Sequence, residues 1–312
     1  MVAHAAAGAG RRFPTSAFRR SRCRHRIAGS GKEVRMREIA EVSLSELIDR
    51  YQVFFLDQFG VLRDDQGAYP GAAEALQQLK AIGKTVVILS NSGRSGDFNA
   101  ARFVKLGFPR ESFDYFVTSG DAAYAVLSKE GSPLSRDARC LTISSGGDRN
   151  LAERMGMINV DDAAEANLVI ISGSEAERIP MESYANLLRP AAMRGIPAIC
   201  TNPDIQKLAD GAVAPGAGAI AELYEQLGGT VRWFGKPYQD IYELAMRLCG
   251  DVSPQSVICV GDSLDHDILG ASRFGLDSVL VRTGLAGQST ATGHDDMKTA
   301  DVQPTYMMSQ FR

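Results

Sequence analysis

The sequence predicts an α/β protein with two parallel sheets, one domain being inserted into the other. Short apolar runs alternate with helical stretches from Ser43 onward, and this alternation is typical of parallel sheets with right-handed crossovers. The length of 312 residues accommodates two such sheets. About 145 residues separate Ser90 from Lys236, each of which follows an apolar run. Because ordinary connections are far shorter, this segment requires a domain of its own.

The elements follow from local signals in chain order. Ser43 and Glu46 form a capping-box pattern, which predicts a helix that ends near Tyr51. Val53–Leu56 is apolar without alternation, as expected for a strand buried on both faces. A helix is then predicted over Gly71–Ile82, where leucines recur on one stripe. Further strands are predicted at Thr85–Leu89, Tyr115–Val117, Cys140–Ile143, Leu168–Ile171, Pro197–Cys200, Val231–Phe234, Val257–Val260 and Ser278–Val281, with a helix over Tyr238–Cys249.

The composition excludes several classes of protein. Apolar residues make up 45% of the chain and charged residues 23%, which is ordinary for a globular protein and excludes a disordered or collagen-like chain. No stretch approaches the ~18 consecutive apolar residues of a membrane-spanning helix, so no membrane partner is expected. Five scattered cysteines without a C-x-x-C pair fit neither a disulfide framework nor a structural zinc site.

The net charge of −3 conceals an uneven distribution. Residues 1–35 carry nine Arg and Lys against one acid, whereas the rest of the chain carries 25 basic and 36 acidic residues. An acidic body repels a phosphate backbone, so no nucleic-acid partner is expected. The basic head has two interpretations. It is either a transit peptide for a mitochondrion or another organelle, or a tail upstream of a true start at Met36 in a cytoplasmic protein.

Polar residues that could carry chemistry follow four of the apolar runs. Asp57 follows the first run, and Ser90 and Asn91 follow the second. Lys236 and Asp262 follow two later runs in the same way. Because ligand-binding groups collect beyond the carboxyl ends of parallel strands, these side chains are expected to converge on one crevice.

This set of side chains suits phosphoryl transfer. Two carboxylates, Asp57 and Asp262, can hold Mg²⁺, which prefers oxygen ligands. Ser90, Asn91 and Lys236 can bind the non-bridging oxygens of a phosphate. One carboxylate can then act as nucleophile and form an aspartyl-phosphate that water hydrolyses. No G-x-G-x-x-G follows the first strand, which argues against a dinucleotide-dependent dehydrogenase.

Several segments also resemble a known family. FLDQFGVL, VVILSNS, FGKP and CVGDSLDHDI are similar, in this order, to the four motifs of the haloacid dehalogenase superfamily. PGAAEALQQLKAIGK, TNPD and GAGAIAELYEQLGG resemble its subclass IIA, a branch that includes phosphatases. The resemblance implies a Rossmann-like core domain over residues 36–132 and 231–312, with an inserted α/β cap domain over residues 133–230. Residues 1–35 then lie outside the fold.

The resemblance also implies roles for individual residues. Asp57 would be the nucleophile, Ser90 the phosphate anchor and Lys236 the group that offsets the phosphate charge. Asp262 would bind the metal, and Asp267 would be a supporting acid near the metal or Lys236.

Further expectations concern the cap and the histidines. Asp204, in the TNPD segment of the cap, would face the substrate. Caps of this branch often mediate dimers, which adds a homodimer to the expectations. His266 is interpreted as a surface residue and His294 as part of a loop.

The first motif departs from the family pattern at Phe59. The family usually has D-x-D there, and the second acid protonates the leaving group. The backbone carbonyl of Phe59 can still contribute to a metal site, but the acid is absent. Three accounts remain: Asp64 or Asp65 donates the proton, the substrate has a good leaving group, or the protein binds a phosphorylated ligand with little or no catalysis.

The sequence therefore predicts a Mg²⁺-dependent phosphatase of a small phosphorylated metabolite, acting through an aspartyl-phosphate at Asp57. The alternative is a weakly active or non-catalytic protein that binds a phosphorylated ligand, which the absence of the acid at Phe59 favours.

Overall fold

A computed structural model describes residues 39–129, 137–209, 212–284 and 302–312. The basic head over residues 1–35, the alternative start at Met36 and His294 lie outside these residues. Within the described ranges, no helix combines the length and apolar character needed to cross a membrane.

The described strands and helices alternate along most of the chain. The strands are β1 (Val53–Leu56), β2 (Thr85–Ser90), β3 (Tyr115–Thr118), β4 (Arg139–Ile143), β5 (Ile158–Val160), β6 (Leu168–Ile171), β7 (Pro197–Cys200), β8 (Gln206–Ala209), β9 (Ala212–Pro215), β10 (Thr230–Trp233), β11 (Val257–Gly261), β12 (Asp277–Val281) and β13 (Tyr306–Met308). The helices are α1 (Leu44–Arg50), α2 (Ala72–Ala81), α3 (Gly96–Lys105), α4 (Ser119–Leu127), α5 (Asn150–Arg154), α6 (Met181–Met193), α7 (Ala217–Gln226), α8 (Gln239–Cys249) and α9 (Leu269–Phe274).

The first sheet has six strands in the order β13-β12-β11-β1-β2-β3, and every pair is parallel. All four side chains of β1 and all five residues of β11 are buried. A parallel sheet covered by helices on both faces requires such continuous apolar runs, which is why VFFL and VICV form its central strands. The predicted α/β class is therefore confirmed.

The second sheet has five parallel strands in the order β10-β7-β6-β4-β5. Its strands lie in sequence between β3 and β11, so the first sheet is assembled from both flanks of this segment. The resemblance implied that residues 231–312 belong to the core domain, whereas the strand Thr230–Trp233 pairs with Pro197–Cys200 in the second sheet. A four-residue strand carries no local signal for its partner, so this pairing could not be predicted.

A two-stranded antiparallel hairpin, β8 and β9, was not predicted. It follows Asp204 and carries Lys207. Residues of β8 are exposed or half-buried, so the hairpin lacks the apolar run that made the other strands recognisable.

The two sheets share one buried apolar cluster. It contains Val53 and Phe55 of the first sheet together with Cys140 and Leu168 of the second. Leu151 of α5 belongs to the same cluster and is buried. The described residues between Ile39 and Arg312 accordingly form one compact unit.

Candidate active site

The carboxyl ends of three neighbouring strands bring the predicted residues to one edge of the first sheet. β1 lies between β11 and β2, and both of its neighbours run parallel to it. Asp57 directly follows β1, Ser90 is the last residue of β2, and Asp262 directly follows β11. The expected convergence at this edge therefore follows from the strand order.

Three carboxylates cluster at this edge. One oxygen from each of Asp57, Asp262 and Asp267 lies within 4.8 Å of the other two. Two glycines permit this approach: a Cβ on Gly60 would lie 2.1 Å from Oδ2 of Asp262, and one on Gly261 would lie 2.1 Å from Cγ of Asp267. Any larger residue at either position would displace an acid from the cluster.

Lys236 lies against two of the three acids. Its Nζ contacts Oδ1 of Asp57 and lies 2.7 Å from Oδ1 of Asp267. The lysine side chain is 4% exposed, and those of Asp57 and Asp267 are 12% and 7% exposed. The three groups are thus a buried, hydrogen-bonded charge network, in which each partner compensates for the desolvation of the others.

Burial and charge act in opposite directions on this network. The pKa of Asp57 is raised to about 7, mainly by burial; Lys236 acts to lower it, and Asp267 acts to raise it. Burial alone would lower the pKa of Lys236, but Asp267 and Asp57 together raise it above its usual value. Lys236 is therefore an ammonium that can offset additional negative charge at the same edge.

The cluster fits a divalent cation. Three acids and one ammonium leave a surplus of negative charge in a largely buried place, and unbalanced buried charge is costly. Asp57 and Asp262 supply the hard oxygen donors that such an ion prefers. Gly60, the residue after Phe59, lies against Asp262, since a Cβ at Gly60 would clash with that carboxylate.

The side chain of Asn91 makes different contacts from the predicted ones. Its side chain accepts a hydrogen bond from the backbone N–H of Lys236 at 2.7 Å and donates to the Lys236 carbonyl at 3.2 Å. It also donates to Oδ1 of Asp204 at 2.8 Å. The amide that was expected to bind phosphate is thus engaged in fixing the backbone of Lys236, and it is buried.

Asp204 and His266 meet beside Lys236. Nδ1 of His266 lies 3.1 Å from the Lys236 carbonyl, and Nε2 lies 3.7 Å from Oδ1 of Asp204. His266 was interpreted as a surface residue, but only 21% of its side chain is exposed. It lies on a single π-helical turn (Leu264–Ile268), which also carries Asp267. The sequence contains no signal for such a turn.

Phe59 occupies the position of the missing acid and lies under an arginine. The guanidinium carbon of Arg63 is 5.1 Å from the centre of the Phe59 ring. Arg63 was not singled out from the sequence. The backbone N–H of Gly60 donates to the Arg63 carbonyl at 2.8 Å, which folds the loop back on itself. Asp64 accepts a hydrogen bond from the backbone of Gln66 at 2.7 Å and thus forms a turn in this loop.

A polar cleft of about 250 Å³ lies beside Asp204. Asp204 lines it and links it to Asn91. Two cations in its wall are paired: Arg94 with Asp148 at 3.2 Å, and Lys207 with Glu177 at 2.6 Å. Residues of its wall include Ser92, Arg94, Ser145, Ser174, Asp204 and Lys207, which come from the loop after β2 and from the second sheet and its hairpin.

Known proteins share this arrangement of motifs. A family model for haloacid dehalogenase-like hydrolases matches residues 54–158, and a HAD-hydrolase-like model matches residues 233–312. A solved hydrolase of the haloacid dehalogenase-like family from Brucella suis is 32% identical, has a TM-score of 0.73 and covers 86% of this chain and 98% of its own. The chain belongs to the haloacid dehalogenase-like hydrolases.

Two further proteins are similar to this haloacid dehalogenase-like hydrolase over nearly their full length. A solved structure from Cytophaga hutchinsonii, described as a possible sugar phosphatase, is 28% identical with a TM-score of 0.72 and covers 88% of this chain and 99% of its own. Chronophin from Homo sapiens is 27% identical over 293 residues, which is 87% of this chain and 95% of chronophin. The two family models leave residues 159–232 of the hydrolase unmatched, and this segment contains β6 to β9.

Proposed function

We propose that the protein is a Mg²⁺-dependent phosphatase of a small phosphorylated metabolite. The observation that carries the proposal is the buried ammonium of Lys236, which contacts Asp57 and Asp267 at the edge where Asp262 also lies. A carboxylate nucleophile next to a fixed cation suits attack on a phosphorus atom that carries negative oxygens. The likeness to a solved structure described as a possible sugar phosphatase supports the same activity.

Each residue of the site is assigned a catalytic or binding role that suits its position. Asp57 attacks phosphorus and forms the aspartyl-phosphate, which a water then hydrolyses. Lys236 and the hydroxyl of Ser90 bind the non-bridging oxygens, and Asp267 orients Lys236 through its 2.7 Å contact. Asp57, Asp262 and the Phe59 carbonyl would hold Mg²⁺, which offsets phosphate charge when bound.

The cleft supports a small and polar substrate. Its volume of about 250 Å³ is modest, and its wall consists largely of Ser, Gly, Asn and charged side chains. Asp204 in this wall would contact the organic part of the substrate. The alternative, a protein that binds a phosphorylated ligand without turnover, is favoured by one observation, the aromatic ring of Phe59 at the position of the acid.

The test is phosphate release from a panel of aryl, acyl and sugar phosphates, with Mg²⁺ and with a chelator. We expect release that requires Mg²⁺ and falls by at least ~10³-fold in Asp57→Asn, because the nucleophile is lost. Asp49→Asn, which changes an exposed acid of α1, is the matched control and should leave the rate unchanged.

Release that survives Asp57→Asn would overturn the proposed mechanism. A wild type that binds phosphate esters without turnover, but gains turnover in Phe59→Asp, would establish the alternative function instead.

A further inference from the structure

The ring of Phe59 is covered by a cation. Phe59 lies two residues after Asp57, and the Arg63 guanidinium lies over the ring face at 5.1 Å. A charged group therefore lies over the residue that stands where the family has its second acid. The arrangement depends on the backbone contact between Gly60 and Arg63, which closes the loop.

One donor of Arg63 has no acceptor. Nη1 donates to the Asp64 carbonyl at 2.5 Å, but Nε is buried without a hydrogen-bond partner. Buried donors in native proteins are nearly always paired, so an isolated one indicates a missing acceptor. A ligand oxygen at this position would supply it.

The charge of the Arg63 guanidinium interacts with the charge of the proposed nucleophile, Asp57. Burial lowers the pKa of Arg63 and so does neighbouring Arg102, whereas Asp65, Asp64 and Asp57 raise it. Arginine stays charged in proteins. Arg63 is therefore a fixed cation close enough to Asp57 for their charges to interact.

The acids named as substitutes for the missing proton donor fit less well. Asp64 uses Oδ1 as the acceptor for the Gln66 backbone, which makes it part of the turn. Asp65 is exposed. The guanidinium of Arg63, in contrast, lies over the Phe59 ring.

We propose that Arg63 replaces the missing general acid by binding the leaving oxygen as an anion, an inference that rests on the phosphatase function proposed above. Nε–H of Arg63 donates to the oxygen that departs from phosphorus. The positive charge stabilises that oxygen directly, so the first step needs no proton donor at residue 59.

A carboxylate oxygen of Asp57 forms a bond to phosphorus while the bond from phosphorus to the leaving oxygen breaks, and its electron pair stays on that oxygen. A water in the cleft protonates the oxygen, and the resulting hydroxide is neutralised by the proton released when a second water hydrolyses the aspartyl-phosphate. Inorganic phosphate and the alcohol are the products.

The test compares two leaving groups in the same enzyme. Glycerol 3-phosphate has a poor alkoxide leaving group, whereas 4-nitrophenyl phosphate has a good one that needs little stabilisation. In Arg63→Gln we expect kcat for glycerol 3-phosphate to fall by ~10²–10³-fold, the effect of losing one oxyanion donor. The rate for 4-nitrophenyl phosphate should change by less than ~10-fold, since its leaving group, 4-nitrophenolate, needs less stabilisation.

Two further variants separate chemistry from packing. Arg63→Lys keeps the charge. The rate for glycerol 3-phosphate should again fall more than the rate for 4-nitrophenyl phosphate, but the difference should be smaller than in Arg63→Gln. Arg110→Gln is the matched control, because Arg110 also covers a phenylalanine, Phe113, at 4.6 Å and donates to its carbonyl. It should change the ratio of the two rates by less than ~2-fold.

An equal fall for both substrates in Arg63→Gln and Arg63→Lys, or no fall in either variant, would overturn the role of Arg63 and leave the phosphatase proposal intact. A wild type that releases phosphate neither from these two substrates nor from any other member of the panel would overturn both.

Discussion

At the scale of single residues, the site depends on how Asn91 holds Lys236. Both polar atoms of the amide bond the Lys236 backbone, at 2.7 Å and 3.2 Å. Ser119 approaches the same amide oxygen at 3.4 Å. The position of the Lys236 ammonium between its two acids therefore depends on an amide that never touches that ammonium.

Asn91→Leu should destabilise the protein and impair catalysis together. The substitution leaves the buried N–H of Lys236 without an acceptor, which costs about 1–3 kcal/mol of unfolding free energy. Urea denaturation measures this loss, and kcat of phosphate release should fall with it. Asn167→Leu, at an exposed position, is the control and should change stability by less than ~0.5 kcal/mol. Unchanged stability of Asn91→Leu would refute the role assigned to this amide.

The sequence predicted which residues gather at the site but not which way they point. Asp57, Ser90 and Asp262 follow from one rule, that polar residues after parallel strands meet at one edge. Ser90 and Asn91 are adjacent, and successive side chains of an extended chain point to opposite sides. The pattern therefore could not tell which of them turns toward Lys236. Arg63 was missed because its place over Phe59 depends on a loop closure with no sequence signal.

At the scale of elements, strands with continuous apolar runs were predicted with nearly the observed bounds. The observed β1, β6 and β7 coincide with the predictions, since each is short, apolar and ended by polar residues. The missed strands are those without such runs. β13 has three residues, and β8 has exposed or half-buried ones.

Pairing between elements was harder to predict than the elements themselves. Strands were predicted at Val231–Phe234 and Pro197–Cys200, but the pairing of Thr230–Trp233 with Pro197–Cys200 was not. Strand pairing reflects contacts between distant parts of the chain, whereas periodicity reports only local environment. The hairpin that carries Lys207 to the cleft could not be derived for the same reason.

At the scale of the whole molecule, the shared apolar cluster should make both sheets unfold together. The cluster joins side chains of β1 with those of β4 and β6. Trp233 is the only tryptophan of the chain and lies in the second sheet, so its fluorescence reports that sheet alone. Far-UV circular dichroism reports all elements. The two urea transitions should coincide, as in a two-state protein.

Leu151→Ala should weaken this cooperative unit as a whole. Leu151 is 3% exposed within the shared cluster, and such truncations cost about 2–5 kcal/mol. Both transitions should move to lower urea by the same amount, whereas Leu187→Ala, at a position 38% exposed, should move neither noticeably. A fluorescence transition that separates from the circular dichroism transition would show that the sheets unfold independently.

The account as a whole rests on a covalent phosphoryl group at Asp57, which can be trapped. The enzyme is mixed with Mg²⁺ and 4-nitrophenyl phosphate, quenched during turnover and treated with borohydride, which reduces an acyl phosphate to an alcohol. Peptide mass analysis should then find homoserine at position 57 in the wild type and none without substrate. Phosphate release accompanied by an unmodified Asp57, or by reduction at another acid, would contradict the account.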